Sequence, residues 1–351
     1  MPDRPVLEGD LDTILESVRS FISEMRGQRI FITGGTGFFG TWLLSSFVHF
    51  NRALALNAQA TVLTRNPKAF ALRSPHLAND SAITLIAGDM RTFIPPDGTF
   101  DYVLHAATDV VGSQSNETPL QRYQAISDGA ARVFDFASTH GTRKLLLTSS
   151  GAAYGRQPAS ISHIPEDFNG APDVLQPGAV YGEGKRVSEL LCTLFAEQTG
   201  IEFKIARCFA FAGPCLPLDA NFAIGNFIRD CIAGQLIDIA GDGTPRRSYL
   251  YAADLAVWLW TILFKAQSLQ AFNVGSEAAI SIADLARLVA DTLNPTVGIR
   301  VRKEALIGVA PLQYVPSTKK AQEMLGLAES TSLAESIRRT ALWHGFHPPS
   351  I

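Results

Sequence analysis

Three groups of residues in this sequence have the types and spacing that chemistry requires. The first is Thr33-Gly34-Gly35-Thr36-Gly37-Phe38-Phe39-Gly40. Glycines at 34, 37 and 40 permit a tight turn, a close backbone approach to a pyrophosphate, and close packing of a helix on a strand. A helix opening at Phe38 would aim its free N–H groups and positive dipole end at the phosphates. Gly34, Thr36, Gly37, Phe38 and Phe39 are therefore expected to line a dinucleotide. The second group is Tyr181-Gly182-Glu183-Gly184-Lys185, where a phenol and an ammonium four residues apart share one helix face. A phenol with a pKa of about 10 is a poor base at neutral pH, and a nearby ammonium favours its phenolate. So tuned, Tyr181 could remove a hydroxyl proton as hydride leaves, or return it as a carbonyl is reduced. The third group is Ser149-Ser150-Gly151, with Ser150 lying 31 residues before Tyr181. A hydroxyl there can hydrogen-bond the reacting oxygen alongside the phenol.

These groups act together only if a fold positions them. Short apolar runs recur at 29–33, 60–64, 82–88, 101–107, 144–150 and 203–209. They lack strict alternation, as strands covered on both faces should. Helical patterns intervene at 38–50, 119–140 and 181–199. Strand–helix–strand repetition at this spacing predicts right-handed crossovers and an α/β, doubly wound parallel Rossmann sheet. The glycine turn then follows the first strand, and Ser150 ends the fifth. After the second strand stands Arg65, in Leu63-Thr64-Arg65-Asn66, where NAD sites usually carry a carboxylate. A guanidinium there can clamp a 2′-phosphate, which favours NADP over NAD. Asp89 and Met90, after the third strand, are expected at the adenine edge, although a plain turn aspartate explains Asp89 nearly as well.

Beyond Gly213-Pro214 the rhythm changes. Helices are expected near 220–234, 251–266, 281–293 and 331–344, and strands near 270–275 and 298–302, around the glycine-rich turn 241–247. The reading is therefore tripartite. Residues 1–28 form a helical extension whose apolar face (Leu11, Ile14, Leu15, Val18, Phe21, Ile22) packs on the main body or on a partner subunit. Residues 29–213 form the dinucleotide-binding domain. Residues 214–351 form a smaller α+β substrate-binding lid, some of whose elements return to the sheet.

Composition excludes several classes. A hydrophobic fraction of 46% with 18% charged residues is that of a packed globular chain. With 30 basic against 33 acidic residues there is no electrostatic footprint for nucleic acid. The longest strongly apolar stretch, 255–264, is too short to span a bilayer and reads as a buried helix. No basic segment followed by an apolar one opens the chain, so a cytoplasmic protein is expected. Cys192, Cys208, Cys215 and Cys231 lack zinc-binding spacing and read as free, buried thiols; no metal is expected.

Taken together, these residues resemble the extended short-chain dehydrogenase/reductase superfamily, and within it the NAD-dependent epimerase/dehydratase family acting on nucleotide sugars. The resemblance runs from about Arg29 to the C-terminal helices. It rests on the glycine turn, Asp89, His105-Ala106-Ala107, the segment 147–155, Tyr181 with Lys185, Arg207 followed by Gly213-Pro214, and the segment 241–249. It implies that Ser150, Tyr181 and Lys185 are catalytic and that Lys185, Tyr181, Ala106 and Ala107 border the cofactor. It also implies that Arg247, with Ser150, meets a nucleotide-activated sugar, the guanidinium gripping its diphosphate. Helices 119–140 and 181–199 would form the four-helix bundle of a homodimer.

Departures from the family pattern narrow the chemistry. Dehydratases of the family carry Asp-Glu just after the catalytic hydroxyl residue, and decarboxylating members keep a Glu in that stretch. Here those positions are Gly151 and Ala152. The family's Asn in the helix after the fourth strand is Ile126, and the Asn three residues after Arg207 is Ala210. The expected function is epimerisation by transient NAD(P)-dependent oxidation of a sugar carbon, with NADPH-dependent 4-keto-sugar reduction close behind. Dehydration with non-standard acid/base residues, reduction of a non-sugar carbonyl and non-catalytic NAD(P) sensing remain as alternatives. His105 is expected to make a structural hydrogen bond, and His163 and Glu166 to sit on a solvated loop.

Overall fold

The computed structural model describes residues 5–107, 117–220 and 222–347. The apolar runs become β1 (Arg29–Thr33), β2 (Gln59–Thr64), β3 (Ile83–Ala87), β4 (Tyr102–His105), β5 (Lys144–Ser150) and β6 (Glu202–Cys208). A seventh strand, Ala271–Val274, joins the same sheet beside β6, giving the order Ala271–Val274, β6, β5, β4, β1, β2, β3. Every neighbouring pair is parallel. The order reverses direction between β1 and β4, and at such a switch point the carboxyl ends of the strands open a crevice for a ligand.

Helices cover both faces. They are α1 (Glu8–Ile22), α2 (Phe38–Ala53), α3 (Pro67–Arg73), α4 (Pro75–Ala78), α5 (Pro119–Thr139), α6 (Val180–Thr199), α7 (Ala223–Ile232), α8 (Ala252–Lys265), α9 (Ile282–Leu293), α10 (Lys319–Leu325) and α11 (Leu333–Trp343). Alternation along β1 decides which core each residue enters. Ile30 and Ile32 join the core under α1, α2 and α8, while Phe31 joins the core under α5 and α6. There Phe31 packs on Phe93, Phe100 and Phe136, with ring centroids 5.5, 5.7 and 4.4 Å away. On the opposite face Trp42, Trp258 and Trp260 are wholly buried. Their polar ends are satisfied: Trp42 donates to Pro214 O and Trp260 to Ser46 Oγ, each at 2.9 Å.

Beyond residue 214 some elements return to the sheet, which the domain reading allowed for. The stretch 255–264 is a buried helix as expected, and it packs on the sheet. Being apolar on nearly every side, α8 fills the layer between the sheet and α1. The next strand then returns to the sheet edge, so the predicted strand at 270–275 extends the nucleotide-binding sheet. The smaller unit has its own core, formed by α7, α9 and α11 over the parallel strands Ile237–Ile239 and Ile299–Val301. It also holds a three-stranded sheet in the order Ile280–Ser281, Arg246–Arg247, Gln313–Tyr314. Among the described residues no helix is long and apolar enough to cross a membrane. All four cysteines are free; three are buried and Cys215 is half-buried.

The N-terminal helix packs on the main body, against α8 and α2. Its Asp10 is buried and accepts hydrogen bonds from the Tyr251 hydroxyl, at 2.5 Å, and from the Arg339 guanidinium of α11. One carboxylate thus joins the first helix to the last. Asp10→Ala leaves the buried Tyr251 hydroxyl without its acceptor and should cost about 1–3 kcal/mol of stability. Thermal unfolding of the variant checks this, and an unchanged transition would refute the clamp.

Candidate active site

The glycine turn has the form a pyrophosphate requires. Gly34 adopts φ +72°, and a Cβ there would stand 2.5 Å from the backbone of Ala106 and Ala107 at the end of β4. A Cβ on Gly40 would come within 2.3 Å of Gly34 O and the Gly35 backbone, so α2 leaves the turn with no room for a side chain. Gly37 differs. It is the N-cap of α2, in an extended conformation with no side-chain cap, and the nearest atom to a Cβ there lies at 3.4 Å. Two glycines are consumed by packing, and the third opens the helix N-terminus to a ligand. Thr36 meets Thr64 across β2 with hydroxyls 3.3 Å apart, and Arg73 donates to Thr36 O. Phe38 and Phe39 fix the start of the helix, Phe39 lying edge-on to Phe211 at 5.0 Å. These residues fit a dinucleotide.

At the ends of β2 and β3 the charges form a cluster. Asp89 accepts from the backbone and the guanidinium of Arg91, at 2.9, 2.8 and 3.0 Å. Arg91, and more weakly Arg65, hold its carboxyl below the usual range. Asp89 is therefore already engaged. Met90 lies against Gly129 of α5, where a Cβ would meet its sulfur at 2.9 Å. Arg91 was not anticipated: a guanidinium two residues beyond a turn aspartate has no sequence pattern to flag it.

The candidate catalytic groups converge at the end of β5. Ser150 ends the strand, and its Oγ accepts from Ala152 N at 3.1 Å. Tyr181, in the first turn of α6, is near enough to Ser150 for the serine to favour its ionised form. Burial pushes the Tyr181 phenol up to about 12, and the serine contact offsets part of that rise. Lys185 is buried beneath it and donates to Thr148 O at 2.6 Å, its Nζ 6.0 Å from the Tyr181 ring centre. Burial brings Lys185 down to about 8. His105 makes the expected structural bond, Nδ1 lying 2.8 Å from Thr33 Oγ1, and burial with the nearby Lys185 holds it down to about 3, hence neutral.

Sequence reasoning missed Tyr314. Its hydroxyl lies 3.4 Å from Ser150 Oγ, its ring packs tilted against Phe209 at 4.7 Å, and Arg247 stands 5.7 Å over that ring. Arg247 thus reaches the serine's neighbourhood only through the Tyr314 ring. No local pattern around Tyr314 could have revealed this, because the contact spans 164 residues.

The comparisons with known proteins follow this geometry. The profile of the "NAD dependent epimerase/dehydratase family" matches residues 30–275. The chain belongs to that family. Its members among the relatives are NAD-dependent enzymes of the extended short-chain dehydrogenase/reductase type. UDP-glucuronic acid decarboxylase 1 of Xenopus tropicalis is 27% identical over 91% of this chain and 73% of its own. UDP-glucose 4-epimerase of Thermotoga maritima superposes with a TM-score of 0.75 at 20% identity, over 90% of this chain and 98% of that one. A dTDP-glucose 4,6-dehydratase of Streptomyces venezuelae gives 0.75 at 18%, over 90% and 97%. Family and fold are thereby shown, and decarboxylases, epimerases and dehydratases all stand among the relatives.

The departures from the family pattern have structural counterparts. A Cβ at Gly151 would meet the Phe209 ring at 2.6 Å, so the aromatic ring occupies the space beside that position. Ile126, buried in α5, lies against Gly184 just before Lys185. The expectation of a solvated loop for His163 and Glu166 is corrected. Glu166 is largely buried and accepts from Asn273 N at 2.8 Å, while His163 Nε2 lies 2.9 Å from Glu277 O. Ile164 bridges to Pro316, so this loop fastens the sheet to the segment after Tyr314. Among the described residues no cluster of His, Cys, Asp and Glu could hold a metal.

Two outcomes test this site. Gly37→Ala has room for its methyl, so it should leave thermal stability unchanged while weakening dinucleotide affinity by about tenfold or more; equilibrium titration checks this. Lys185 titrates in the folded protein at about 8 against a normal 10.5. Below pH 8 both folded and unfolded chains carry the charge, and the folded one bears its burial cost. As pH rises from 8 to 10.5 the folded chain sheds that cost. Lys185→Met should therefore stabilise the apoprotein by about 1–3 kcal/mol at pH 7, and the gain should fade by pH 10. Denaturant unfolding at both pH values measures it.

Proposed function

We propose that this protein is a nucleotide-sugar epimerase that transiently oxidises a sugar carbon, C4 first among the candidates, and reduces it again on the other face. Ser150 polarises the reacting oxygen, Tyr181 takes and returns its proton, and Lys185 holds the nicotinamide ribose and favours the phenolate. The bound dinucleotide supplies hydride exchange. Gly34, Thr36, Gly37, Phe38 and Phe39 carry its pyrophosphate, and Ala106 and Ala107 border it. Asp89 and Met90 lie toward the adenine side. Arg247 grips the diphosphate of the sugar nucleotide.

One observation carries this reading: Ser150 stands between Tyr181 and Tyr314, with Arg247 over the Tyr314 ring, while Gly151 and Ala152 beside them offer no side chain that can move a proton. Dehydration needs an added acid–base pair there, so oxidation and re-reduction is favoured. The decarboxylating relatives' chemistry is disfavoured on the same ground.

Net 4-keto reduction with NADPH is the second reading. Arg65 follows β2, and Arg91 pairs with Asp89, a carboxylate that would otherwise repel a 2′-phosphate. Exposed Leu120 on α5 and Leu190 and Leu194 on α6 support a homodimer through these two packed helices. Four free thiols suit the reducing cytoplasm.

The test begins with denaturing the purified protein and identifying the dinucleotide it releases, then supplying UDP- and dTDP-hexoses. Retained oxidised dinucleotide, interconversion of C4 epimers and no carbon dioxide from UDP-glucuronate are expected. Protein that emerges empty and consumes NADPH with a keto-sugar would establish the reductase instead. Tyr181→Phe should lower turnover by about 10²–10⁴-fold and spare dinucleotide binding; unchanged turnover would sink both readings.

A further inference from the structure

Tyr314 is held at the catalytic centre from two sides. Its strand pairs in parallel with Arg246–Arg247, Tyr314 lying opposite Arg247. The next residue, Val315, donates its N–H to Gln157 Oε1 at 2.9 Å and accepts from Ile164 N at 2.9 Å. The phenol is thus fastened both to the strand that carries Arg247 and to the loop that follows Ser150. Phe209 supports its ring from below in the space that Gly151 leaves open.

A serine hydroxyl has one proton to donate and two lone pairs to offer. Ala152 N–H fills one lone pair at 3.1 Å; either hydroxyl of the Ser150–Tyr314 pair, 3.4 Å apart, can be the donor, and with Tyr314 donating the other lone pair is filled. The single proton of Ser150 is then left to the Tyr181 oxygen or to a substrate oxygen beside it. We propose that Tyr314 is a positioning residue that fixes Ser150 as a hydrogen-bond donor toward Tyr181 and the reacting oxygen. This role rests on the Ser150–Tyr181 chemistry proposed above. A 3.4 Å separation is long for two hydroxyls, and catalytic contacts of this kind tighten when substrate is bound. Arg247 lies over the same ring, so a diphosphate on Arg247 and the alignment of Ser150 act through one side chain.

The titratable groups around Tyr181 are Lys185 on its own helix, Cys208 at the end of β6 and Tyr314, with Arg247 beyond Tyr314 and His105 facing Lys185 from β4. Tyr314→Phe leaves all the others in place and keeps the packed ring. The experiment follows the ionisation of Tyr181 by ultraviolet absorbance in the full-length protein at saturating dinucleotide, each trace corrected with its Tyr181→Phe counterpart. Four backgrounds are compared: unaltered, Tyr314→Phe, Ser150→Ala, and both together. Tyr314→Phe should raise the Tyr181 midpoint by about half a unit to one unit when Ser150 is present, and should add nothing when it is absent. With a sugar nucleotide that is turned over, kcat should fall about threefold to tenfold with KM unchanged. No shift in either background, or an equal shift in both, overturns the proposal. Failure of every sugar nucleotide would overturn the proposed function and leave this titration readable; a flat titration in an active enzyme overturns only the role of Tyr314.

Discussion

The 2.6 Å hydrogen bond from the Lys185 ammonium to the Thr148 carbonyl is the constraint from which the candidate site follows. An ammonium sealed inside a protein must find strong acceptors or lose its proton. Here the acceptor is a carbonyl of β5, two residues before the strand ends. The bond therefore fixes how α6 crosses the end of that strand. Tyr181, four residues earlier on the same helix face, is carried to Ser150 as a consequence. His105 is kept neutral by the same charge and by burial, so it can serve β1 through Thr33 without competing for a proton. Behind this arrangement, Arg207 pairs with both carboxylate oxygens of Glu189, and Ser149 adds a further contact to that glutamate.

Much of the sheet and part of the site were legible in the sequence, for reasons that differ by element. Strands buried on both faces are apolar throughout, and β1 to β6 stood out because turns and amphipathic helices bounded them. The glycine turn was legible because each glycine answers to a distinct steric demand within eight residues. The phenol and ammonium were legible because a helix turns sequence spacing into a shared face. By contrast, which of the elements after residue 214 would return to the sheet, Ala271–Val274 among them, was not legible, since sequence order says little about which sheet edge a strand will join. Glu166 read as loop surface because its burial depends on Asn273, more than a hundred residues away. Tyr314 was invisible for the same reason. Its strand has only two residues, and its significance comes from Phe209, Arg247 and Ser150, none of which is near it in sequence.

The likeness to decarboxylases, epimerases and dehydratases is instructive about what such a scaffold preserves. One glycine turn, one Tyr–Lys pair and one strand-end serine can serve any chemistry that begins by moving a proton and a hydride at one sugar carbon. The chemistries diverge in what stands next to the oxidised carbon. At that point this chain has Gly151, and the volume a larger side chain would need is filled by Phe209. The aromatic ring in turn supports Tyr314. A change from carboxylate to glycine therefore does more than delete an acid: it permits a packing in which a second phenol reaches the serine. Two hydroxyls and a backbone N–H around Ser150 suit the movement of one proton between two oxygens. They do not suit the removal of a proton from carbon together with the expulsion of a leaving group. The geometry beside the serine, more than the degree of identity to any relative, is what supports the proposed oxidation and re-reduction.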